Sequence, residues 1–165
     1  MAILTEDMKR VVREQALGFV ATVCPDGSPN LSPKGTTSVW DDDHLIFADL
    51  ASPTTMANLA VNPVVEVNVV DPVLRKGYRF KGRASVHTEG PLFDEAVRFF
   101  ERERGLEVGR IRGVAIIAVE RSAALISPVY AGGTSEQEVR ERVALRLEKI
   151  YGWKIERREQ PEAPG

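Results

Sequence analysis

The sequence predicts a mainly β fold, a small antiparallel barrel of about six strands with a few peripheral helices. Two observations lead to this prediction. Short segments rich in β-branched and aromatic residues follow one another closely, and turn signals such as Pro25-Asp26-Gly27 and Asp41-Asp42-Asp43 separate them. The chain has 165 residues, which is enough for one domain with a substantial core.

The predicted strands cover residues 19–24, 31–40, 45–48, 64–70, 78–86 and 114–126. Pro33 and Gly35 interrupt the second strand. Because proline cannot donate to a central ladder, we expect a bulge or a sheet edge there. The segment 78–86 alternates with period two, which is typical of a half-exposed strand.

Capping signals predict where the helices begin and end. Thr5 is expected to cap the first helix and Gly18 to end it. Ser135 and Glu138 form a capping box at the start of the last helix. The apolar stripe of that helix consists of Val139, Val143, Leu147 and Ile150. Such a stripe either contacts a second copy of the chain or covers its own barrel, and the sequence leaves both open.

The join between residues 44 and 62 is the most informative stretch. An apolar strand ends at Asp49, and Ser52-Pro53 then reads as the capped start of a helix that ends at Asn62-Pro63. Helix N-termini hold phosphates well because their first N–H groups are unpaired. With the segment 32–35 just upstream, the join is either a phosphate cradle or an ordinary capped helix.

Composition excludes several function classes. Net charge is -2, with Lys+Arg 22 against Asp+Glu 24, which gives no electrostatic case for nucleic acid or for an anionic membrane. No apolar run approaches the length of a membrane span, and the N-terminus lacks the features of a signal peptide. We therefore expect a cytoplasmic protein.

The residues available for chemistry are few. One cysteine (Cys24) and two histidines (His44 and His87) cannot build a Cys/His zinc site, so we expect no metal. The sequence contains neither a nucleophile elbow nor a phosphate-binding P-loop. We name no catalytic residue, and we expect a bound cofactor to supply any reactive group.

The order of the segments resembles a known family. The segments that carry the resemblance are 19–23 with 26–29, 45–49 with Ser52, 56–59, 62–65 and 78–84. In this order and spacing, from about Thr5 to Ile126, the chain resembles the pyridoxamine 5'-phosphate oxidase-like, FMN-binding split-barrel family.

The resemblance implies a six-stranded antiparallel split β-barrel of Greek-key type that forms a homodimer with FMN at the subunit interface. Residues 1–155 would form a single domain, and residues 156–165 are expected to be a disordered tail. Matched onto this chain, the cofactor-binding residues are Ser32, Lys34, Gly35, Thr36, Asp49, Ser52, Thr54, Thr55 and Asn58.

Within this set, the resemblance assigns roles to four residues. Lys34 would be the charge partner of the phosphate, Gly35 would let the backbone approach the flavin, and Thr36 and Thr55 would donate hydroxyl hydrogen bonds. The chain departs from the family at Thr54, where many members carry a Lys or Arg that contacts the phosphate. Lys34 could replace that charge, or a neighbouring strand could supply it from Arg75, Lys76 or Arg79.

The resemblance implies an oxidoreductase in which flavin carries out hydride or electron transfer, with NAD(P)H or another electron donor. The alternatives are a non-catalytic flavin-binding or redox-sensing module and an F420-dependent reductase of the same fold. True vitamin B6 oxidases end in a C-terminal basic segment, and no counterpart follows Ile126. Vitamin B6 oxidation is therefore not expected.

Overall fold

The structure is a computed structural model that describes residues 2–152 and contains one antiparallel sheet of seven strands. In chain order the strands are β1 (Gly18–Val23), β2 (Pro29–Lys34), β3 (Ser38–Val39), β4 (His44–Asp49), β5 (Val64–Asp71), β6 (Lys76–His87) and β7 (Gly113–Ile126). The helices are α1 (Glu6–Gln15), α2 (Pro53–Val61), α3 (Pro91–Arg104) and α4 (Glu136–Tyr151). The predicted mainly β class is confirmed. The expected number of six strands is wrong, since the described residues form seven.

The extra strand comes from the segment 31–40, which was predicted as one strand and is found as two. The strand order is β2-β1-β5-β6-β7-β4-β3, so β2 and β3 lie at opposite edges of the sheet. Only residues 35–37, which we call the seam turn, connect the two edges. The sheet therefore curls into a half-barrel that brings its edges together. The edge predicted at Pro33 is confirmed, because β2 pairs with β1 alone.

A side chain replaces the interrupted ladder at the seam turn. The hydroxyl of Thr36 accepts a hydrogen bond from the Ala48 N–H at 2.9 Å and donates one to the Ala48 carbonyl at 3.2 Å. Ala48 belongs to β4, so these bonds attach the seam turn to the opposite half of the sheet. The N–H and the carbonyl of Ala48 are thereby paired at the point where the ladder stops.

The concave face of the sheet encloses the main core. Its fully buried side chains include Val20, Phe47, Val67, Phe80 and Ile117, one from each of five strands. Side chains of α1 and α2 close this core. Each large apolar side chain buried here stabilises the fold by about 1.5–3 kcal/mol.

A second, smaller core lies on the other face, under α3. Ala96, Val97 and Phe100 of that helix pack against Ile46 and Ile116 of the sheet. Since β4 and β7 are thus covered on both faces, their sequences read as continuous apolar runs.

Capping residues define the helix ends. Thr5 caps α1, accepting a hydrogen bond from the Met8 N–H at 3.3 Å, as predicted. The helix ends earlier than expected, at Gln15, and its C-cap Ala16 adopts a left-handed φ of 53°. Gly18 is instead the first residue of β1. The capping box of Ser135 and Glu138 is confirmed.

The apolar stripe of α4 lies partly on its own chain. Val139 is buried, and Val143 and Leu147 line a groove with Pro72 of the β5–β6 connection. Leu145 remains 63% exposed. No helix among residues 2–152 is long and apolar enough to cross a membrane. The tail predicted at 156–165 lies outside the described residues.

The β6–β7 pair contains a bulge next to a close backbone contact. The register shifts between Lys81 and Gly82. A Cβ atom at Gly82 would lie 1.9 Å from the Ala118 carbonyl oxygen. The bulge therefore requires glycine, because no larger residue fits against that backbone.

Candidate functional site

A buried lysine lies where β2 ends and α2 begins. Lys34 is only 4% exposed. Its ammonium donates a hydrogen bond to the Ser52 hydroxyl at 2.7 Å and a second, shorter one to the Ser32 hydroxyl. The ring centroid of Phe47 lies 5.8 Å from the same nitrogen. Three predicted site residues, Ser32, Lys34 and Ser52, thus form one cluster, which we call the lysine cluster.

Burial determines the electrostatics of the lysine cluster. It lowers the pKa of the Lys34 ammonium below its ordinary value, and the charge of Asp49 opposes that shift. Asp49 is itself buried, and its Oδ1 accepts the Ser52 N–H at 2.6 Å. The ammonium therefore has two neutral hydroxyls as hydrogen-bond partners and a carboxylate that acts on it only through its charge.

The N-terminus of α2 faces this cluster without a side-chain cap. Ser52 occupies the predicted N-cap position, and Pro53 opens the helix as expected. The Ser52 hydroxyl makes no capping bond and accepts a hydrogen bond from Lys34. Thr54 is exposed in the first turn. The first N–H groups of α2 are thus left without a side-chain acceptor, next to an ammonium group.

Two other predicted residues point away from the lysine cluster. Thr55 and Asn58 are buried between α2 and the sheet. The Asn58 amide donates to the Thr22 hydroxyl at 3.0 Å, and the Asn30 amide donates to the Thr55 hydroxyl at 3.2 Å. These bonds attach α2 to β1 and β2, so Thr55 and Asn58 support the cluster from behind.

The remaining two residues lie in the seam turn. Thr36 uses its hydroxyl on the backbone of Ala48, as described above. Gly35 is exposed, and a Cβ atom placed on it would meet nothing within 4 Å. The surface in front of Gly35 is therefore open to a ligand.

Of the basic residues considered as substitutes for a charge at Thr54, Arg75 lines the groove of α4, and Arg79 and Lys76 pair with carboxylates. Arg79 and Lys81 both pair with Glu66, at 2.8 and 3.1 Å, although the Arg79 Nε makes no aligned hydrogen bond. Lys76 pairs with Glu136 of α4 at 2.8 Å. Arg79 and Lys81 thus join β6 to β5 on the outer wall, which is the half-exposed side of that strand pair, and Lys76 attaches α4 to the sheet.

Sequence reasoning missed one basic residue, Arg104. Its Nη2 donates to the Gly35 carbonyl at 2.6 Å, and its Nη1 donates to the Ser38 hydroxyl at 3.3 Å. The only signal was its place in the last turn of a helix, where basic residues are common for other reasons. Its target lies 69 positions away in the chain, so the sequence could not indicate the contact.

A cleft of about 520 Å³ adjoins the seam turn on the side of Arg104. It lies between α1 and α3, and Trp40, Phe99 and Arg104 are among the residues that line it. The Trp40 and Phe99 rings meet edge to face with centroids 5.3 Å apart. The cleft thus combines this aromatic pair with charged side chains of α1 and α3.

Comparisons with known proteins identify the family and the fold. The family described as "Pyridoxamine 5'-phosphate oxidase" matches residues 4–124. HupZ of group A Streptococcus is 35% identical over 74% of this chain and 94% of its own, with a TM-score of 0.66. A search of the curated proteins finds no match.

Two more distant structures share the fold. An FMN-binding protein of Syntrophomonas wolfei superposes with a TM-score of 0.60 at 16% identity, covering 73% of this chain and 85% of its own. An F420 reductase superposes with a TM-score of 0.57 at 20% identity, covering 72% of this chain and 98% of its own. At these identities the likeness concerns the fold alone.

Proposed function

Because this chain belongs to the pyridoxamine 5'-phosphate oxidase family, we propose that it is an FMN-binding oxidoreductase. The lysine cluster carries the proposal. A buried ammonium with two hydroxyl partners and no carboxylate ion pair in the described residues is suited to receive an anion. The bound flavin would supply the hydride or electron transfer, and the protein would bind and orient it.

The residues of the cluster fit a phosphate group. Lys34 would give a charge-assisted hydrogen bond, and Ser32 and Ser52 would turn their hydroxyls toward the phosphate oxygens. The uncapped start of α2, including Thr54, adds N–H donors and a partial positive charge. Asp49 would orient Ser52 by accepting the Ser52 N–H, and it would not contact the anion.

The other predicted site residues would act from the edges of the same site. We propose that Gly35 and Thr36 border the flavin with their backbone, since the Thr36 hydroxyl is used within the protein. Thr55 and Asn58 would fix α2 against the sheet. Their contribution to flavin affinity is then indirect.

We further propose that the protein is a homodimer. Leu31 is 65% exposed on β2, and its cross-strand neighbour on β1 is Ala21. Phe19 and Val23 flank Ala21 on the same face of the sheet and are also exposed. A contiguous apolar face of this kind is typical of a subunit interface. Under this proposal FMN lies between the subunits, and the cytoplasmic location remains a prediction.

Purification without added cofactor, followed by mass analysis of the released small molecule, tests the cofactor. FMN is the expected product. Release of F420 would favour the related reductase instead, and failure of the apoprotein to bind either molecule in a titration would refute the proposal.

Turnover separates an enzyme from a binding module. The flavin-loaded protein should oxidise NAD(P)H, or another donor, in the presence of an acceptor faster than an equal concentration of free FMN. Tight flavin binding with no acceleration over free FMN would favour the non-catalytic, redox-sensing alternative.

A further inference from the structure

We propose that Arg104 is a positioning residue that aims two backbone N–H groups, those of Gly35 and Thr36, at the flavin ring. This inference rests on the proposed flavin site. The two N–H groups would contact the ring of the flavin, whereas the lysine cluster would bind its phosphate.

Every carbonyl that enters the seam turn has a partner within the protein. The Lys34 carbonyl accepts from the N–H and the hydroxyl of Thr37, at 3.2 and 2.9 Å. The Gly35 carbonyl accepts from Arg104 at 2.6 Å, and the Thr36 carbonyl accepts from the Ser38 hydroxyl at 3.1 Å. Three successive peptide carbonyls are thus held in fixed directions.

The N–H groups of the same peptides have no such partners. Within residues 2–152, neither the Gly35 N–H nor the Thr36 N–H makes a hydrogen bond. Because a peptide is planar, fixing the Lys34 carbonyl fixes the Gly35 N–H, and fixing the Gly35 carbonyl fixes the Thr36 N–H. The turn therefore presents two pre-oriented donors, and such donors are worth most where an acceptor carries developing negative charge.

Arg104 is the anchor that comes from outside the turn. Thr37 and Ser38 are sequence neighbours of the groups they hold, whereas Arg104 reaches across from the end of α3. Its planar guanidinium donates to the Gly35 carbonyl and the Ser38 hydroxyl together. A lysine ammonium lacks that planar fork, so it would not hold the two acceptors in the same fixed geometry.

The direction of the turn indicates that its two N–H groups contact the ring of FMN and not the phosphate. The Lys34 side chain runs inward to Ser52, while Gly35 is exposed to open space. The length of the lysine side chain separates the ammonium from the two N–H donors, just as the ribityl chain separates the phosphate of FMN from its ring. The carbonyl edge of the ring would accept the two N–H groups.

Titrations of FMN and riboflavin, which lacks the phosphate, test this inference. Arg104→Ala should weaken binding of both flavins by the same factor, about tenfold, and should shift the midpoint potential of bound FMN. Lys34→Ala should weaken FMN alone. The control is Arg102→Ala in the same helical turn, where the native side chain is 69% exposed and pairs with Glu103.

Ser38→Ala gives a second test in case Arg104→Ala fails to fold, since it removes the hydroxyl that accepts from the Arg104 Nη1 and so loosens the guanidinium with a smaller change. Unchanged riboflavin affinity and potential in a folded Arg104 or Ser38 variant would overturn the inference. Loss of FMN binding with riboflavin unaffected would also overturn it, because the turn would then serve the phosphate. Failure of the wild-type protein to bind either flavin would remove the proposed function, and this inference with it.

Discussion

Replacing Lys34 by methionine should weaken cofactor binding strongly while it changes the stability of the protein little. Methionine approximates the length of the lysine side chain and removes only its charge and its donors. In the native protein those donors contact the hydroxyls of Ser32 and Ser52, and Lys34 itself is 4% exposed. The substitution therefore tests whether the ammonium is retained for a ligand or for the fold.

The loss of flavin affinity follows from one charged hydrogen-bond donor. A hydrogen bond to a charged group contributes about 1.5–3 kcal/mol. Its loss should raise the dissociation constant of FMN about 10- to 100-fold. The apoprotein should lose less than about 1 kcal/mol of unfolding free energy, or gain some, because a buried charge with neutral partners contributes little net stability.

The pH dependence has a definite sign. Burial lowers the pKa of Lys34 in the folded protein, so the unfolded chain binds more protons between that pKa and the ordinary lysine value. The stability of the apoprotein should therefore rise with pH through this window. FMN affinity should fall there, since the phosphate favours the charged lysine. Lys34→Met should lack both trends.

Fluorescence titration with FMN and urea unfolding at several pH values measure these effects. The control is Lys81→Met on the outer wall, whose native ammonium pairs with Glu66 at 3.1 Å. FMN affinity of Lys34→Met within twofold of the wild type would refute the assignment of Lys34 to the phosphate. A large loss of apoprotein stability would indicate that the lysine is retained for the fold.

Three further predictions concern the scaffold. Thr36→Val should lower the unfolding free energy by about 1–3 kcal/mol in urea titrations, because it leaves the Ala48 backbone groups without their hydrogen-bond partner. The exposed control Thr54→Val should change it by less than about 0.5 kcal/mol. Equal effects would refute the role of the seam turn. Gly82→Ala should lower the melting temperature sharply, at a cost of about 3 kcal/mol or more, while Gly109→Ala, which meets nothing within 4 Å, should not. Leu31→Glu should convert the proposed dimer to monomer in light scattering, and a dimer of unchanged affinity would exclude this face.

The fold was largely predictable because its signals are local. The alternation along β6, the Pro-Asp-Gly turn after β1 and the capping box of α4 each depend on residues within a few positions of one another. The division of the segment 31–40 was not predictable. Thr36 bonds to Ala48, twelve positions away, and nothing in the local pattern distinguishes that contact from an ordinary bulge.

The site was predictable only where strand ends and helix starts determine it. The resemblance and the capping pattern brought Ser32, Lys34 and Ser52 together, and the structure places their side chains in one cluster. The directions of the side chains were not predictable from the sequence. Thr55 and Asn58, for example, face the sheet. Long-range contacts such as that of Arg104 depend on how α3 packs, which periodicity alone does not fix.

The placement of proline in β2 has a consequence for how the protein associates. β2 and β3 are the edges of the sheet, where an incoming strand of another chain would add. Pro29 and Pro33 lack N–H donors at both ends of β2, and β3 has only two residues. Both features disfavour the addition of a strand at either edge. These edges therefore favour association through the faces of the sheet, as in the proposed dimer.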